Sequence, residues 1–369
     1  MYVPQDVLTN DDLAQRVDTS DEWIRTRTGI ERRHIANGHE TSAQMAIEAA
    51  QAALQVADAD PREIDLIIVG TATPDHPMPS TACIVQDALG AIHAGAFDLN
   101  AGCAGFVYAL VMGHQAIASG EHNLVLVIGV DTMTRVVDWE DRSTCVLFGD
   151  GAGAVLLRAS EGENGILATL LGSDGSGAEA LIIPAGGSAQ PTTPETVEKR
   201  LHYLKMDGRQ VFRFATHALP EAVEQVVKKA DLGLGDIALI VPHQANQRII
   251  SAAAKRLKIS EERFMLNLQE YGNTSAASVP IALCEALAKG RIEPGQHIVL
   301  VGFGAGLTWA AAAIRWGISA EYPQAPFYRT WWRWLIYRWA AIRNRFRHLQ
   351  QSALVRLIRK AESRNNHRG

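Results

Sequence analysis

The stretch Ile64-Asp65-Leu66-Ile67-Ile68-Val69-Gly70 decides the fold class of this chain. It is short, apolar and rich in β-branched residues, which is how a strand buried on both faces reads. Such strands need helices on either side, and the flanks supply them. Before it, Ala43, Ala46, Ile47, Ala50, Ala53 and Leu54 recur at helical spacing from Thr41, and the segment from Asp58 to Pro61 stops that helix. After it comes a loop with Pro74, Pro77 and Pro79, then a helix expected over 80–89, a strand over 96–99 and a helix over 104–118. A further buried strand is expected over 124–130, and Gly149-Asp150-Gly151-Ala152-Gly153-Ala154 is a turn feeding one more.

Beyond a loop-rich middle this order recurs. A helix over 211–230 leads into Ile237-Ala238-Leu239-Ile240-Val241, which parallels the first strand; helices over 246–257 and 276–289 follow. His297-Ile298-Val299-Leu300-Val301 and Gly302-Phe303-Gly304-Ala305-Gly306-Leu307 then echo the 124–130 strand and the Gly149 turn. The repeat implies two duplicated α/β halves in layered sheets, with ligands held at strand ends where the halves meet. We divide the chain into a first half (1–172), a loop-rich connection (173–205), a second half (206–317) and a tail (318–369).

Hydrophobic residues make up 47% of the 369 residues and charged residues 20%, an ordinary globular balance. Four cysteines without CxxC spacing give no disulfide framework and no structural zinc site, and imply a reduced, cytoplasmic setting. The start MYVPQDVLTN has neither a basic patch nor an apolar run, so it is no signal peptide. The net charge of −5 hides a split: residues 317–369 carry eleven Lys/Arg against two Asp/Glu, a net of +9, which leaves −14 for residues 1–316. So acidic a body argues against nucleic acid as a partner.

Cys103 lies in Asp98-Leu99-Asn100-Ala101-Gly102-Cys103-Ala104-Gly105-Phe106, where a strand gives way to a helix. Unpaired N–H groups at a helix start favour the thiolate, and small neighbours admit a substrate; alternatively, Cys103 is one more buried thiol. His243, in Val241-Pro242-His243-Gln244-Ala245-Asn246, follows a buried strand and precedes a helix. Asn273, in Tyr271-Gly272-Asn273-Thr274-Ser275-Ala276-Ala277-Ser278, sits at another junction, where a helix N-cap is the plain reading. Together the three form a workable set for acyl transfer, a thiol nucleophile with two polar groups to handle charge on a thioester oxygen.

Five blocks, in order over residues 2–316, resemble the 3-oxoacyl-[acyl-carrier-protein] synthase III family. They are Val17-Asp18-Thr19-Ser20-Asp21-Glu22-Trp23-Ile24-Arg25-Thr26-Arg27-Thr28-Gly29-Ile30, the Cys103 block, the His243 block extended to Ser251, the Asn273 block extended to Pro280, and the Gly-rich turn up to Trp309. The resemblance implies a thiolase-like fold, five layers αβαβα from two duplicated halves, working as a homodimer without metal or cofactor. It implies that Cys103 is acylated by a short acyl-CoA, most simply acetyl-CoA, and that malonyl-acyl-carrier protein then condenses with loss of CO2. His243 and Asn273 would donate to the malonyl thioester oxygen. The backbone N–H groups of Cys103 and Ala305 would hold the acyl oxyanion; the family often has Gly at the second position. Trp23 and Arg142 would sandwich the adenine of CoA, with Arg27 and Thr28 near its phosphates. Arg213, Arg248, Lys255 and Arg256 would dock the acidic carrier protein, and Met78 would floor the partner subunit's acyl pocket.

Two features depart from the family. It normally opens with a strand before the segment matching Tyr2-Val3-Pro4, so we expect translation to start upstream. After Trp316 the chain runs on into Trp331-Trp332-Arg333-Trp334-Leu335-Ile336-Tyr337-Arg338-Trp339. Trp331, Leu335, Trp339, Ile342, Phe346, Leu349, Ala353 and Leu357 step by three or four, with Arg343, Arg345, Arg347 and Arg356 elsewhere, which gives a basic amphipathic helix over 327–360. It would lie on the inner face of the membrane or pack on the acidic body. The Gly149 turn also fits a loose dinucleotide fingerprint, but it leads into a strand rather than a helix and reads as structural. A thiolase is disfavoured, because residues 302–306 lack a second cysteine. A same-branch condensing enzyme with an unusual starter or acceptor is the alternative, and an inactive membrane scaffold is the alternative from another class.

Overall fold

Strands apolar on both faces force a layered molecule. The computed structural model describes residues 1–317, 331–333, 335–340 and 342–343. Its main strands are β1 (Leu66–Gly70), β2 (Gly95–Leu99), β3 (Leu124–Thr132), β4 (Asp150–Arg158), β5 (Gly165–Ser173), β6 (Ile237–Pro242), β7 (His297–Gly304) and β8 (Thr308–Arg315). The helices that cover them and frame the site are α1 (Asp21–Thr28), α2 (Ser42–Val56), α3 (Thr81–Leu89), α4 (Gly105–Ala118), α5 (Gly208–Lys229), α6 (Gln247–Leu257) and α7 (Ser278–Ala288).

One sheet has the order β2-β1-β3-β4, parallel except for β4; the other has the order β6-β7-β8-β5, parallel only between β6 and β7. β5 completes the second sheet although it precedes the connecting loops.

The period of two along each strand sorts side chains between layers. In β3, Val125 and Val127 meet Phe106, Val107 and Leu110 of α4, whereas Leu126 and Ile128 meet Met45 and Ala49 of α2 and Val85 of α3. In β7, Ile298 and Leu300 join the α4 side with Val279 and Leu283 of α7, whereas Val299 and Val301 join Leu219 and Val223 of α5 and Ile249 of α6. The layers are therefore α2/α3, first sheet, α4/α7, second sheet, α5/α6, the five-layered thiolase-like arrangement.

Local chemistry sets the helix ends. Thr41, Ser80 and Asn246 cap α2, α3 and α6 by accepting from the N–H groups of Gln44, Cys83 and Arg248, and Gly90 closes α3 at a left-handed φ of 72°. Each cap stabilises its helix by about 1 kcal/mol. Tyr2 exchanges backbone hydrogen bonds of 2.8 and 2.9 Å with Ala152 on the outer edge of β4.

Among the described residues of the tail, the apolar stripe read from the sequence faces outward. Trp331, Trp339 and Ile342 are exposed, while Arg333 and Ala340 are buried against the body and Tyr337 packs against the α2/α3 core. The body is thus met by a second helix face that sequence spacing did not single out. The expected continuation through Phe346, Leu349, Ala353 and Leu357, with Arg345, Arg347 and Arg356, lies outside the described residues. No described helix is long and apolar enough to cross a membrane.

Gly129 in β3 is where α4 and the turn before α7 close on the sheet: a Cβ there would lie 2.4 Å from the Ala276 carbonyl oxygen and 2.8 Å from Phe106 Cβ. Gly129→Ala is expected to cost about 1–3 kcal/mol by overpacking. The measurement is a lower urea midpoint at unchanged slope; an unchanged midpoint contradicts this packing account.

Candidate active site

Cys103 sits in the tight turn between β2 and α4, made possible by Gly102 at φ 52°. The two halves meet here backbone against backbone. A Cβ at Gly102 would lie 2.8 Å from Ala305 N, and one at Gly304 would lie 2.5 Å from Cys103 N. Outside the helices and strands, neither the Cys103 nor the Ala305 N–H donates to a backbone carbonyl among the described residues. Helix α4 starts without a side-chain cap. That positive end was expected to favour the thiolate, but burial outweighs it and pushes the Cys103 thiol up to about 12. The Ser275 hydroxyl, 3.4 Å from Sγ, opposes that shift.

His243 follows β6 directly, and its N–H donates to the Val301 carbonyl at 2.8 Å. Its Nδ1 lies 2.6 Å from Ser278 Oγ, at the start of α7, and the Phe303 ring stands edge-on at 5.0 Å. Burial lowers the imidazole to about 3, so it is neutral at ordinary pH. The Gln244 N–H donates to the same Ser278 Oγ at 3.4 Å; in the tautomer where that hydroxyl donates to Nδ1, the imidazole proton is on Nε2.

Asn273 is not a helix cap. Its Oδ1 accepts the Ser275 N–H at 2.9 Å, and its backbone is pinned to Leu147 and Gly149 at 2.8 and 3.0 Å. The side-chain amide is left to donate. Gly149 is therefore a structural turn beneath Asn273: a Cβ there would lie 2.4 Å from the Tyr271 carbonyl oxygen.

Cys103, His243 and Asn273 line one pocket of about 90 Å³ together with Phe148, Phe303 and Gly304. Sequence reasoning missed the residues that hold them. Buried Asp131, at the end of β3, accepts from Thr71, Ala72 and Thr73 on one oxygen and from the Ala276 N–H at 3.0 Å on the other. It thereby ties the Asn273 turn to the first sheet. An acid closing a doubly buried strand was the available signal. Ser275 and Ser278 lay unnoticed among small residues.

The remaining candidates lie outside the pocket lining. The guanidinium groups of Arg142 and Arg27 sit over the Trp23 ring at 4.9 and 5.3 Å, and Arg142 also donates to the Asp18 carbonyl at 2.6 Å. A base inserted between Trp23 and Arg142 would have to displace that arginine. Thr28 departs from expectation: it is buried, and its hydroxyl donates to the Ile24 carbonyl and accepts the Ile30 N–H, so it offers nothing to a phosphate. Arg213 on α5 and Arg248, Lys255 and Arg256 on α6 are all exposed, on adjoining helices that also line the pocket through Phe212 and Ile249. Met78 is 86% exposed and does not line its own Cys103 pocket.

A thiol at a helix start, two side-chain donors and two backbone N–H groups between duplicated halves of a thiolase-like fold define a condensing acyltransferase. Comparison with known proteins agrees. Residues 97–175 match the 3-oxoacyl-[acyl-carrier-protein] synthase III family, and residues 227–316 match its C-terminal domain. A beta-ketoacyl-[acyl-carrier-protein] synthase III of Symbiobacterium thermophilum is 55% identical over 317 residues, covering 86% of this chain and 96% of its own. The 3-oxoacyl-[acyl-carrier-protein] synthase III of Aquifex aeolicus superposes with a TM-score of 0.80 at 47% identity, over 85% of this chain and 97% of that one. The priming β-ketosynthase of the R1128 polyketide pathway superposes at 0.79 with 38% identity, over 86% and 94%. The chain belongs to the beta-ketoacyl-[acyl-carrier-protein] synthase III family.

The raised Cys103 thiol gives a testable pH dependence. With the pKa far above the working range, the thiolate fraction grows with each pH unit. Alkylation of Cys103 by iodoacetamide is expected to rise about tenfold per unit between pH 6 and 9. A plateau below pH 8 would show that the helix start wins over burial.

Proposed function

We propose that the chain catalyses the condensation that starts fatty acid synthesis: a short acyl-CoA, acetyl-CoA foremost, joins malonyl-acyl-carrier protein to give a 3-oxoacyl-carrier protein, CO2 and CoA. The observation that carries this reading is the one pocket lined by Cys103, His243 and Asn273. Its small volume suits a short acyl group.

Cys103 Sγ attacks the acyl-CoA carbonyl, and the thiol proton leaves with the CoA sulfur. The oxyanion is held by the Cys103 and Ala305 N–H groups. The malonyl thioester then loses CO2, and the electron pair passes into a thioester enolate. His243 Nε2–H and the Asn273 amide donate to its oxygen. A neutral imidazole fits this role, since it donates without taking up a proton. The enolate carbon attacks the acyl carbonyl, and collapse expels the Cys103 thiolate, which takes one proton from solvent to restore the thiol.

CoA enters past Trp23, Arg27 and Arg142, with Arg142 swinging aside; Thr28 holds the end of α1. The carrier protein docks on Arg213, Arg248, Lys255 and Arg256, whose charge complements an acidic partner. Two copies pair through β2, an open sheet edge with Phe97 exposed, so that Met78 reaches the partner subunit's pocket. The enzyme works in the cytoplasm, and its basic tail brings it to an anionic membrane. The likeness to the R1128 priming ketosynthase favours one second reading, the same chemistry with a different starter.

His243→Ala and Asn273→Ala each remove one donor to the enolate. Each is expected to lower kcat for condensation by roughly 10²–10³, about 3–4 kcal/mol, while acylation of Cys103 by acyl-CoA persists. The two half-reactions, followed separately, check this. Equal loss of both contradicts the assigned roles.

A further inference from the structure

The tail helix is apolar on two faces: the body covers one, and it meets the other only at its rim, through Arg62 and Ile92. On the inner face, Arg333 pairs with Asp58 at 3.0 Å and reaches the Leu54 carbonyl, and Arg343 pairs with Asp87 at 2.9 Å. Ile336 Cγ2 lies 3.0 Å from where a Gly90 Cβ would be, a close approach that a glycine allows. Ala340 is 2% exposed. These contacts fix the helix across the C-terminal ends of α2 and α3.

On the outer face Trp331, Trp332, Trp339 and Ile342 are 51%, 49%, 68% and 41% exposed, and Ile92 beside them is 54% exposed. Trp332, Trp339, Ile342 and Ile92 border, with Leu335, an apolar groove of about 580 Å³, and the Arg62 guanidinium lies over the Trp332 ring at 5.8 Å. Contiguous apolar surface of this kind marks an interaction site.

We propose that this face, anchored to the body from behind, is a docking surface for an anionic lipid bilayer. The inference deepens the membrane contact in the proposed function and needs nothing from the condensation chemistry. Three observations choose the occupant. Tryptophan with arginine at the rim is the chemistry of a bilayer interface. The chain from residue 317 on carries +9 while the rest carries −14, so net attraction to an anionic surface favours this end. A second copy meeting the same face would bring two basic tails together, which like-charge repulsion opposes. The placement is also compatible with catalysis. Gly90 and Ile92 precede the N-terminal end of β2, whereas Cys103 follows its C-terminal end, so the groove and the pocket lie at opposite ends of that strand.

The test uses the full chain with phosphatidylcholine vesicles, with and without phosphatidylglycerol, read by co-sedimentation and by quenching of tryptophan emission with brominated lipid. The expected result is binding to the anionic vesicles that falls with salt, with quenching, and at least about tenfold weaker binding by a Trp331→Ser, Trp332→Ser, Trp339→Ser variant. All three side chains are about half exposed or more, so the unfolding midpoint and condensation rate of the variant should match wild type. No vesicle binding at low salt overturns the proposal, as does equal binding by the variant. Self-association that the variant abolishes, without vesicle binding, assigns the face to a second copy instead.

Discussion

Backbone-to-backbone contact between the two halves is the constraint on which the rest of this structure depends. Gly102 and Gly304 let the Cys103 turn and the β7–β8 turn approach until a Cβ at Gly102 would lie 2.8 Å from Ala305 N and one at Gly304 2.5 Å from Cys103 N. A side chain at either glycine would part them. Everything that positions the nucleophile, from Gly129 under Phe106 and Ala276 to Asp131 gripping Ala276, serves to hold that contact. The halves must close on each other before either has a site.

Much of this was legible in the chain itself. Doubly buried strands announce themselves as continuous apolar runs, so the layers followed from stretches such as Ile64 to Gly70 and their echo near Ile237. The three polar residues at strand and loop ends were legible as a set, although none was decisive alone. Three things escaped. The thiol at Cys103 obeys burial rather than the helix start, because desolvation depends on what closes over it. Asn273 orients by an Asx contact to Ser275, not by capping a helix. Ser278 and Asp131 act through geometry between segments far apart in sequence, which spacing does not encode.

The tail shows a different limit of pattern reading. Periodicity found the stripe of Trp331, Leu335, Trp339 and Ile342 but could not say which way it faces. In the structure Arg333 and Arg343 bind the acidic ends of α2 and α3, and the stripe is left outside. Aligned with its Symbiobacterium relative, the chain has 317 of 369 residues matched, which leaves 52 without a counterpart there. The described part of the extension lies beside Gly90 and Ile92, at the end of β2 opposite the one that Cys103 follows.

The central claim is that Cys103 carries the acyl group between two substrates. The most direct measurement is the mass of the Cys103 peptide after the enzyme is incubated with acetyl-CoA and with longer acyl-CoAs, in the absence of carrier protein. A gain of one acyl group on that peptide, removable by malonyl-acyl-carrier protein, is the predicted result. No acylation by any of them, or acylation confined to Cys83, Cys145 or Cys284, would contradict it.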